Sequence, residues 1–282
     1  MMRDGPLYGL AHGELSERDA NELRALKLQI QAQIGFRCDG YKEKCLRRRI
    51  AVRMRARGVH GFGAYAELLG FEPQEYAKLV DAVTINVSKF YRNAEAWERL
   101  RVDVLPRLFA LPDREIRVWS AGCAAGEETY TLAMLVQDYA EEHGEDAGRF
   151  RIFGTDIDVG TLAAALRAEY GEFAFSEISA AARERWFEGP QRNRVRAEIR
   201  RMVEFARLDL IADAYPAQRH LILCRNVVIY FERRIQEAVF RRFYDALAPD
   251  GYLMLGKVES LFGGVAALFS ALSNRDRLFR KP

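Results

Sequence analysis

The stretch Ile116-Arg-Val-Trp-Ser-Ala-Gly-Cys-Ala-Ala-Gly-Glu-Glu-Thr-Tyr130 constrains this chain more than any other. A β-branched and aromatic run, Ile116 to Trp119, reads as a buried strand; it breaks into small residues, Ser120 to Gly126, and a helical pattern starts at Glu127. Strand, tight loop and helix start form the unit from which doubly wound α/β sheets are built. Gly122 and Gly126 have no Cβ, so a ligand can approach the backbone of the loop closely, and an adenosine-like ligand is expected. The spacing does not match G-x-G-x-x-G, and small loops also occur where a helix merely packs on a sheet.

Arg151 to Asp158 is a second strand, ending in acids. In a doubly wound fold the acid at the tip of the next strand accepts hydrogen bonds from ribose hydroxyls, and Asp156 stands in that place. Asp156 also suits an N-cap for the helix starting near Gly160. The two roles are compatible.

A chain of 282 residues, 49% hydrophobic and 29% charged, can bury one large domain or one large and one small. No apolar run approaches about 18 residues, and Met1 to Gly13 lacks a secretory core, so a cytoplasmic protein with no membrane insertion is expected. Cys38, Cys45, Cys123 and Cys224 show no C-x-x-C spacing, and His12, His60, His143 and His220 form no ligand pattern, so no metal is expected. Net charge is only +3, yet Arg37 to Arg57 holds nine basic and two acidic residues. Such a block attracts something acidic.

In order, Met1 to about Leu15 reads as a mobile tail. A helix follows, opened by Ser16-Glu-Arg-Asp19 in capping-box style and carrying Leu23, Leu26 and Ile30. The next helix, Lys42 to about Arg57, buries Leu46, Ile50 and Met54; Arg49, Arg53 and Arg57 line up on a neighbouring face, with Arg48 and Arg55 on another side. Either this is a solvated face or it meets an acidic partner. Two short helices, Ala64 to Gly70 and Pro73 to Ala82, complete an all-helical domain over residues 1–82. Residues 83–94 are a linker whose Asn86, Ser88 and Arg92 offer hydrogen-bonding groups and whose Phe90 and Tyr91 offer flat surface, suited either to covering a nucleoside or to a capped connection. A helix Glu95 to Phe109 opens the main domain, 95–282. An insertion at about 170–201 interrupts the strand–helix rhythm, with a helical piece Ser179 to Phe187 and a small hairpin around Gly189 to Asn193. The rhythm resumes with strands Met202 to Ala206 and His220 to Asn226, a helix Glu232 to Ala248, a turn at Pro249 to Gly251, a strand Tyr252 to Leu255, and an antiparallel edge near Leu278 to Arg280.

Four strips occur in one order: Thr-x-Asn-x-Ser-x-Phe-Tyr-Arg at 84 to 92, Trp-Ser-Ala-Gly-Cys-Ala-Ala-Gly-Glu-Glu-Thr-Tyr at 119 to 130, Gly-Thr-Asp-Ile-Asp at 154 to 158 and Cys-Arg-Asn-Val-Val-Ile-Tyr-Phe at 224 to 231. With these the chain resembles the CheR-type chemotaxis receptor methyltransferases over nearly its whole length. The resemblance implies a mostly parallel, seven-stranded, Rossmann-like sheet behind a small all-α domain, with a small α/β insertion. It implies methyl transfer from S-adenosylmethionine to glutamate side chains on the cytoplasmic helices of chemoreceptors, leaving methyl esters and S-adenosylhomocysteine. On that likeness Asn86, Ser88 and Arg92 match the cofactor-contacting strip, Gly122 lies in the cofactor loop, Glu127 matches the acid at the methionine end and Asp156 the ribose acid. Asp209 and Leu210 stand where the family usually has Asn-Leu beside the adenine, and a carboxylate there can still accept from the adenine amino group. Arg225 and Asn226 complete the cofactor wall, while Arg92 and Tyr230 stand near the reacting sulfonium as catalytic groups.

A glutamate of ordinary pKa, about 4.3, is ionised at neutral pH and attacks without a base. Alignment and removal of water remain, worth several kcal/mol. Arg49 and Arg53 would steer the acidic methylation region. Between Phe187 and Val203 the insertion is short and lacks a Gly-x-Gly hairpin, which argues against docking of a receptor's C-terminal pentapeptide. A monomer is expected. Two rivals are a nucleic-acid methyltransferase, for which Arg225-Asn-Val-Val-Ile-Tyr230 is the wrong strip, and a non-catalytic S-adenosylmethionine-binding adaptor.

Overall fold

The computed structural model describes residues 6–84 and 86–282. The chain divides at the Ile85/Asn86 boundary into two compact units, with Tyr230–Ile235 returning to the first.

The first unit is helical: α1 (Pro6–His12), α2 (Glu17–Ile34), α3 (Glu43–Arg57), α4 (Phe62–Phe71) and α5 (Glu75–Thr84). Ser16 caps α2 by accepting from the Asp19 amide at 3.1 Å, and its hydroxyl donates to the Asp19 carboxylate at 2.6 Å. Gly35 and Gly58 end α2 and α3 in left-handed conformation, where a missing Cβ removes the steric cost. The stripe Leu46, Ile50 and Met54 is buried as expected. The expected mobile tail is corrected in part: Met1–Gly5 lie outside the described residues, but Pro6–His12 is a helix burying Leu7, Leu10 and Ala11. Arg47 holds its far end, donating to the carbonyls of Leu10 and Gly13 at 2.7 Å each.

The second unit opens with α6 (Ala94–Asp103) and α7 (Leu105–Phe109), two helices where one was expected. Pro106 lacks the N–H that would continue the ladder, so the chain breaks at Val104. There follow β1 (Ile116–Ala121), α8 (Glu127–His143), β2 (Phe150–Asp156) and α9 (Val159–Arg167). The insertion holds α10 (Ala180–Trp186), a hairpin of β3 (Phe187–Glu188) and β4 (Arg194–Val195), and α11 (Ala197–Arg200). Then come β5 (Val203–Arg207), β6 (Arg219–Cys224), α12 (Arg233–Ala246), β7 (Leu247–Leu255), α13 (Gly263–Ala266), β8 (Ser270–Ser273) and β9 (Leu278–Arg280). The expected turn at Pro249–Gly251 lies within β7, with Asp250 at positive φ and a register shift against β6.

The sheet runs β5-β2-β1-β6-β7-β9-β8; the first five are parallel, and β9 and β8 form the antiparallel edge. β1 is buried at every position but Arg117, as a strand covered on both faces must be. Strand order reverses at β1, with β2 on one side and β6 on the other, so its carboxyl end is the crevice where such sheets bind ligands. Phe90 is fully buried, with its ring 4.7 to 5.6 Å from those of Tyr170, Phe175 and Phe187. It therefore anchors the linker to the insertion and offers no face to a nucleoside. Among the described residues no helix is long and apolar enough to cross a membrane.

Candidate active site

At the crevice the loop after β1 folds under strict steric limits. Gly122 and Gly126 adopt φ of 78° and 90°, and the amides of Gly122 and Cys123 both donate to the Thr155 carbonyl, at 2.7 and 2.9 Å. A Cβ on Gly122 would stand 2.4 Å from Val227 Cγ2, and one on Gly126 3.0 Å from the Phe205 ring. Gly122 is required by space as well as by φ, whereas at Gly126 the space is tight and the positive φ is the stronger demand. Cys123 is buried, and burial pushes its thiol well above the ordinary range, which keeps it protonated and weakly nucleophilic.

Asp156 ends β2 and is tied to this loop: one oxygen accepts from the Ala124 amide at 2.9 Å, the other from the Asp158 amide at 3.0 Å. Each oxygen keeps a second lone pair. The capping role weighed for Asp156 belongs to Asp158, which accepts from the amides of Gly160 and Thr161 at 2.8 and 3.2 Å. Asn86 donates to the same Asp158 at 2.7 Å and to Thr161 Oγ1 at 2.6 Å, so the linker is clasped to the tip of the second strand. Ser88 is half-buried nearby in sequence. At the other end of the linker the Arg92 guanidinium makes, among the described residues, one long bond, 3.3 Å, to the Val87 carbonyl.

Glu127 is the first residue of α8 and 5% exposed, and its Oε2 is buried without a hydrogen-bond partner. Burial lifts its pKa to about 7. An orphaned buried carboxylate oxygen suits a cationic donor such as an ammonium group. On the far side of Asp156, the Leu208 amide donates to its carbonyl at 3.0 Å and leads into Asp209, whose carboxylate accepts from the Ile211 amide at 2.7 Å. The Leu210 carbonyl accepts from Tyr215 Oη at 2.6 Å and from Arg242 at 2.8 Å, which fixes this loop.

Arg225 turns its guanidinium inward, to Glu128 at 3.4 Å, to the Arg92 carbonyl at 2.7 Å and over the Trp97 ring. Its guanidinium is thus engaged by the chain itself. Asn226 follows at φ 63° with its amide oxygen buried and unpartnered. Glu259 and Arg242 carry no local signal in the sequence as residues that shape the site. Glu128 had one signal, its place beside Glu127 on the helix opening at the loop.

Tyr230, Arg49 and Arg53 belong to the helical unit, where the Tyr230 carbonyl accepts from the Lys42 amide at 2.8 Å. The expected uncompensated row of arginines is corrected. Arg53 forms a two-pronged pair with the fully buried Glu75, at 2.8 and 3.0 Å, and Arg57 pairs with Glu72 at 2.6 Å. The acids come from α5 and its approach, outside the segment whose charge was counted. Arg49 is half-buried, whereas Lys44, Arg48 and Arg55 are exposed and, among the described residues, form no ion pair.

The carboxyl end of β1, where Asp156 and the unpartnered Glu127 oxygen meet the glycine-bearing loop, suits a nucleoside cofactor with a cationic group, and the family comparison makes the chain an S-adenosylmethionine-dependent methyltransferase. The model of the CheR methyltransferase SAM binding domain matches residues 86–277, and that of the CheR all-alpha domain residues 21–84. The chain belongs to the CheR methyltransferase family. It is 30% identical to a chemotaxis protein methyltransferase of Listeria monocytogenes, over 87% of this chain and 92% of that one. Against the chemotaxis protein methyltransferase of Escherichia coli K12 identity is 32%, over 87% of this chain and 86% of the other. An uncharacterized 104.1 kDa protein of Rhodobacter capsulatus is 36% identical over 90% of this chain, which spans only 26% of that larger protein.

Proposed function

We propose that this chain methylates glutamate side chains on the cytoplasmic helices of chemoreceptors, as an adaptation enzyme of chemotaxis. Bound S-adenosylmethionine supplies an electrophilic methyl group, and an ionised glutamate needs no base to accept it. The chain's own residues then bind, align and dry the site. Glu127 takes the α-ammonium group, Asp156 the ribose hydroxyls, and the Asp209–Leu210 loop the adenine, with Asn86, Ser88, Gly122 and Asn226 lining the remainder. Arg92 orients the incoming carboxylate. The observation that carries this reading is the buried Glu127 oxygen without a hydrogen-bond partner; alongside it, Arg92 has, among the described residues, a single guanidinium bond, to the Val87 carbonyl. One suits a cationic cofactor and the other an anionic acceptor.

The helical unit serves as the acceptor-facing domain. Its steering charge rests on Lys44, Arg48 and Arg55 together with Arg49, because the Arg53 guanidinium is engaged by Glu75. In the insertion, β3 and β4 are two residues long, and the Val195 amide is taken by the Ala168 carbonyl. So short a hairpin supports methylation without a pentapeptide tether. The enzyme acts in the cytoplasm as a monomer. The test is transfer of labelled methyl to a purified receptor cytoplasmic fragment: base-labile ester on glutamate supports the reading. Cofactor binding with no transfer to any acidic helical fragment would leave the chain an adaptor.

A further inference from the structure

Glu259 lies in the loop after β7 and is 3% exposed, yet nothing in the cofactor reading uses it. Its carboxylate accepts four backbone N–H bonds. Oε1 takes the amides of Val227 and Val228 at 2.9 and 3.0 Å; Oε2 takes those of Asn226 and Gly256 at 2.9 and 2.6 Å. Three of the four donors are consecutive residues of the wall that follows β6. The fourth, Gly256, directly follows β7 and must be glycine for the carboxylate to come so near: a Cβ there would lie 2.6 Å from Oε2 and 2.7 Å from the Asn226 amide. Val227 in turn fills the space that a Cβ on Gly122 would need, so the clamped wall abuts the cofactor loop directly.

We infer that Glu259 is a positioning residue for cofactor binding: its carboxylate sets the backbone of Asn226–Val228 and through Val227 the width of the slot beside Gly122. Convergent amides of this kind make an anion nest, and here the anion is the protein's own. A carboxylate is the only side-chain group that can accept at two oxygens while donating nothing. Replacing it by an amide turns one oxygen into an NH2 group facing backbone N–H donors, which breaks two of the four bonds and forces the wall to shift.

The experiment uses the full chain carrying E259Q, with E259D as the second variant should E259Q fail to fold. F150L, at the opposite end of β2, serves as a control chosen to lower the melting temperature equally. Without ligand, the amide resonances of Asn226, Val227, Val228 and Gly256 are compared with wild type. S-Adenosylhomocysteine affinity is then measured by calorimetry. Expected are shifts confined to those amides and their neighbours and an affinity weaker by about tenfold or more in E259Q, with E259D intermediate and F150L unchanged. Wild-type affinity in the Glu259 variants, a loss no larger than that of F150L, or a loss without movement of the four amides would each overturn the assignment.

Discussion

Glu128 and Arg225 form an ion pair at 3.4 Å with side chains only 11% and 3% exposed, directly behind the wall of the site. Burial raises the pKa of Glu128 and lowers that of Arg225, each shift opposed by the partner, so desolvation outweighs their attraction in both groups. Such a pair contributes little net stability, yet neither member can be left alone. E128A is expected to destabilise the chain by roughly 3–5 kcal/mol, because it strands a buried guanidinium. E128Q can keep its one oxygen toward Arg225 while its NH2 donates to the Ser120 hydroxyl oxygen, and so costs less. Urea unfolding of the two variants measures the difference, and equal stabilities would remove the pair from this account.

On the proposed role of Glu127 at the cofactor's ammonium group, cofactor affinity is expected to depend on pH. With its pKa raised to about 7 by burial, the free protein holds a proton there in mildly acid solution. The carboxylate must lose that proton to receive an ammonium group, so binding releases a proton below pH 7 and affinity falls by at most about tenfold per pH unit. Above pH 7 the dependence from this group disappears. Calorimetry from pH 6 to 8 in buffers of different ionisation enthalpy reads the proton directly, and E127Q should bind weakly with a flat profile.

Gly122 is set against Val227. G122A meets both a Cβ contact at 2.4 Å and a φ of 78°, and is expected to lose measurable S-adenosylhomocysteine binding and about 1–3 kcal/mol of stability. Adding V227A relieves the contact but not the backbone strain. Partial recovery of stability in the double variant is the expected result; full recovery would show that φ contributes nothing.

On the helical unit the arginines separate by partner. R53E leaves the buried Glu75 opposite a like charge and should cost at least roughly 3 kcal/mol. R48E and R55E, at exposed positions without ion pairs, should stay within about 0.5 kcal/mol of wild type. They should also slow methylation of a receptor fragment at low salt and converge with wild type at high salt. Unchanged rates at low salt would remove this face from acceptor steering.

His220 adds a pH limit far from the chemistry. Its Nδ1 accepts from the Arg117 amide at 2.9 Å, joining β6 to β1, which requires the neutral ring. Burial and the neighbouring Arg117 and Arg219 lower its pKa below 6.5, while Asp113 opposes them. A depressed histidine pKa means that the unfolded chain binds the proton more readily. Its contribution is therefore present in full above pH 6.5 and is lost as pH falls through the folded value. Melting temperature against pH should decline below 6.5 in wild type and decline less in H220N.

The fold was legible because its signals are local. Ile116–Trp119 shows itself by β-branching, the loop by its small residues and α8 by its period, and the four strips lie in family order. Pro106 carries an equally local signal, the missing N–H that separates α6 from α7, where apolar spacing alone gives one helix. The amphipathic spacing of Leu7, Leu10 and Ala11 was also present, but seven residues nucleate no helix alone, so only packing against the rest of the unit makes α1.

What the sequence determined by itself was the order of elements, the place of the crevice and the residue types around it, since periodicity and steric freedom are properties of neighbouring residues. What only the tertiary structure decided was which groups are free to act. Arg53 and Arg57 look like Arg48 until α5 brings Glu75 and Glu72 to them, and Glu259 looks like a surface acid until three amides of the wall converge on it. Hydrogen bonds and ion pairs join residues tens to a hundred positions apart, and no local pattern encodes whether a charge has found its partner.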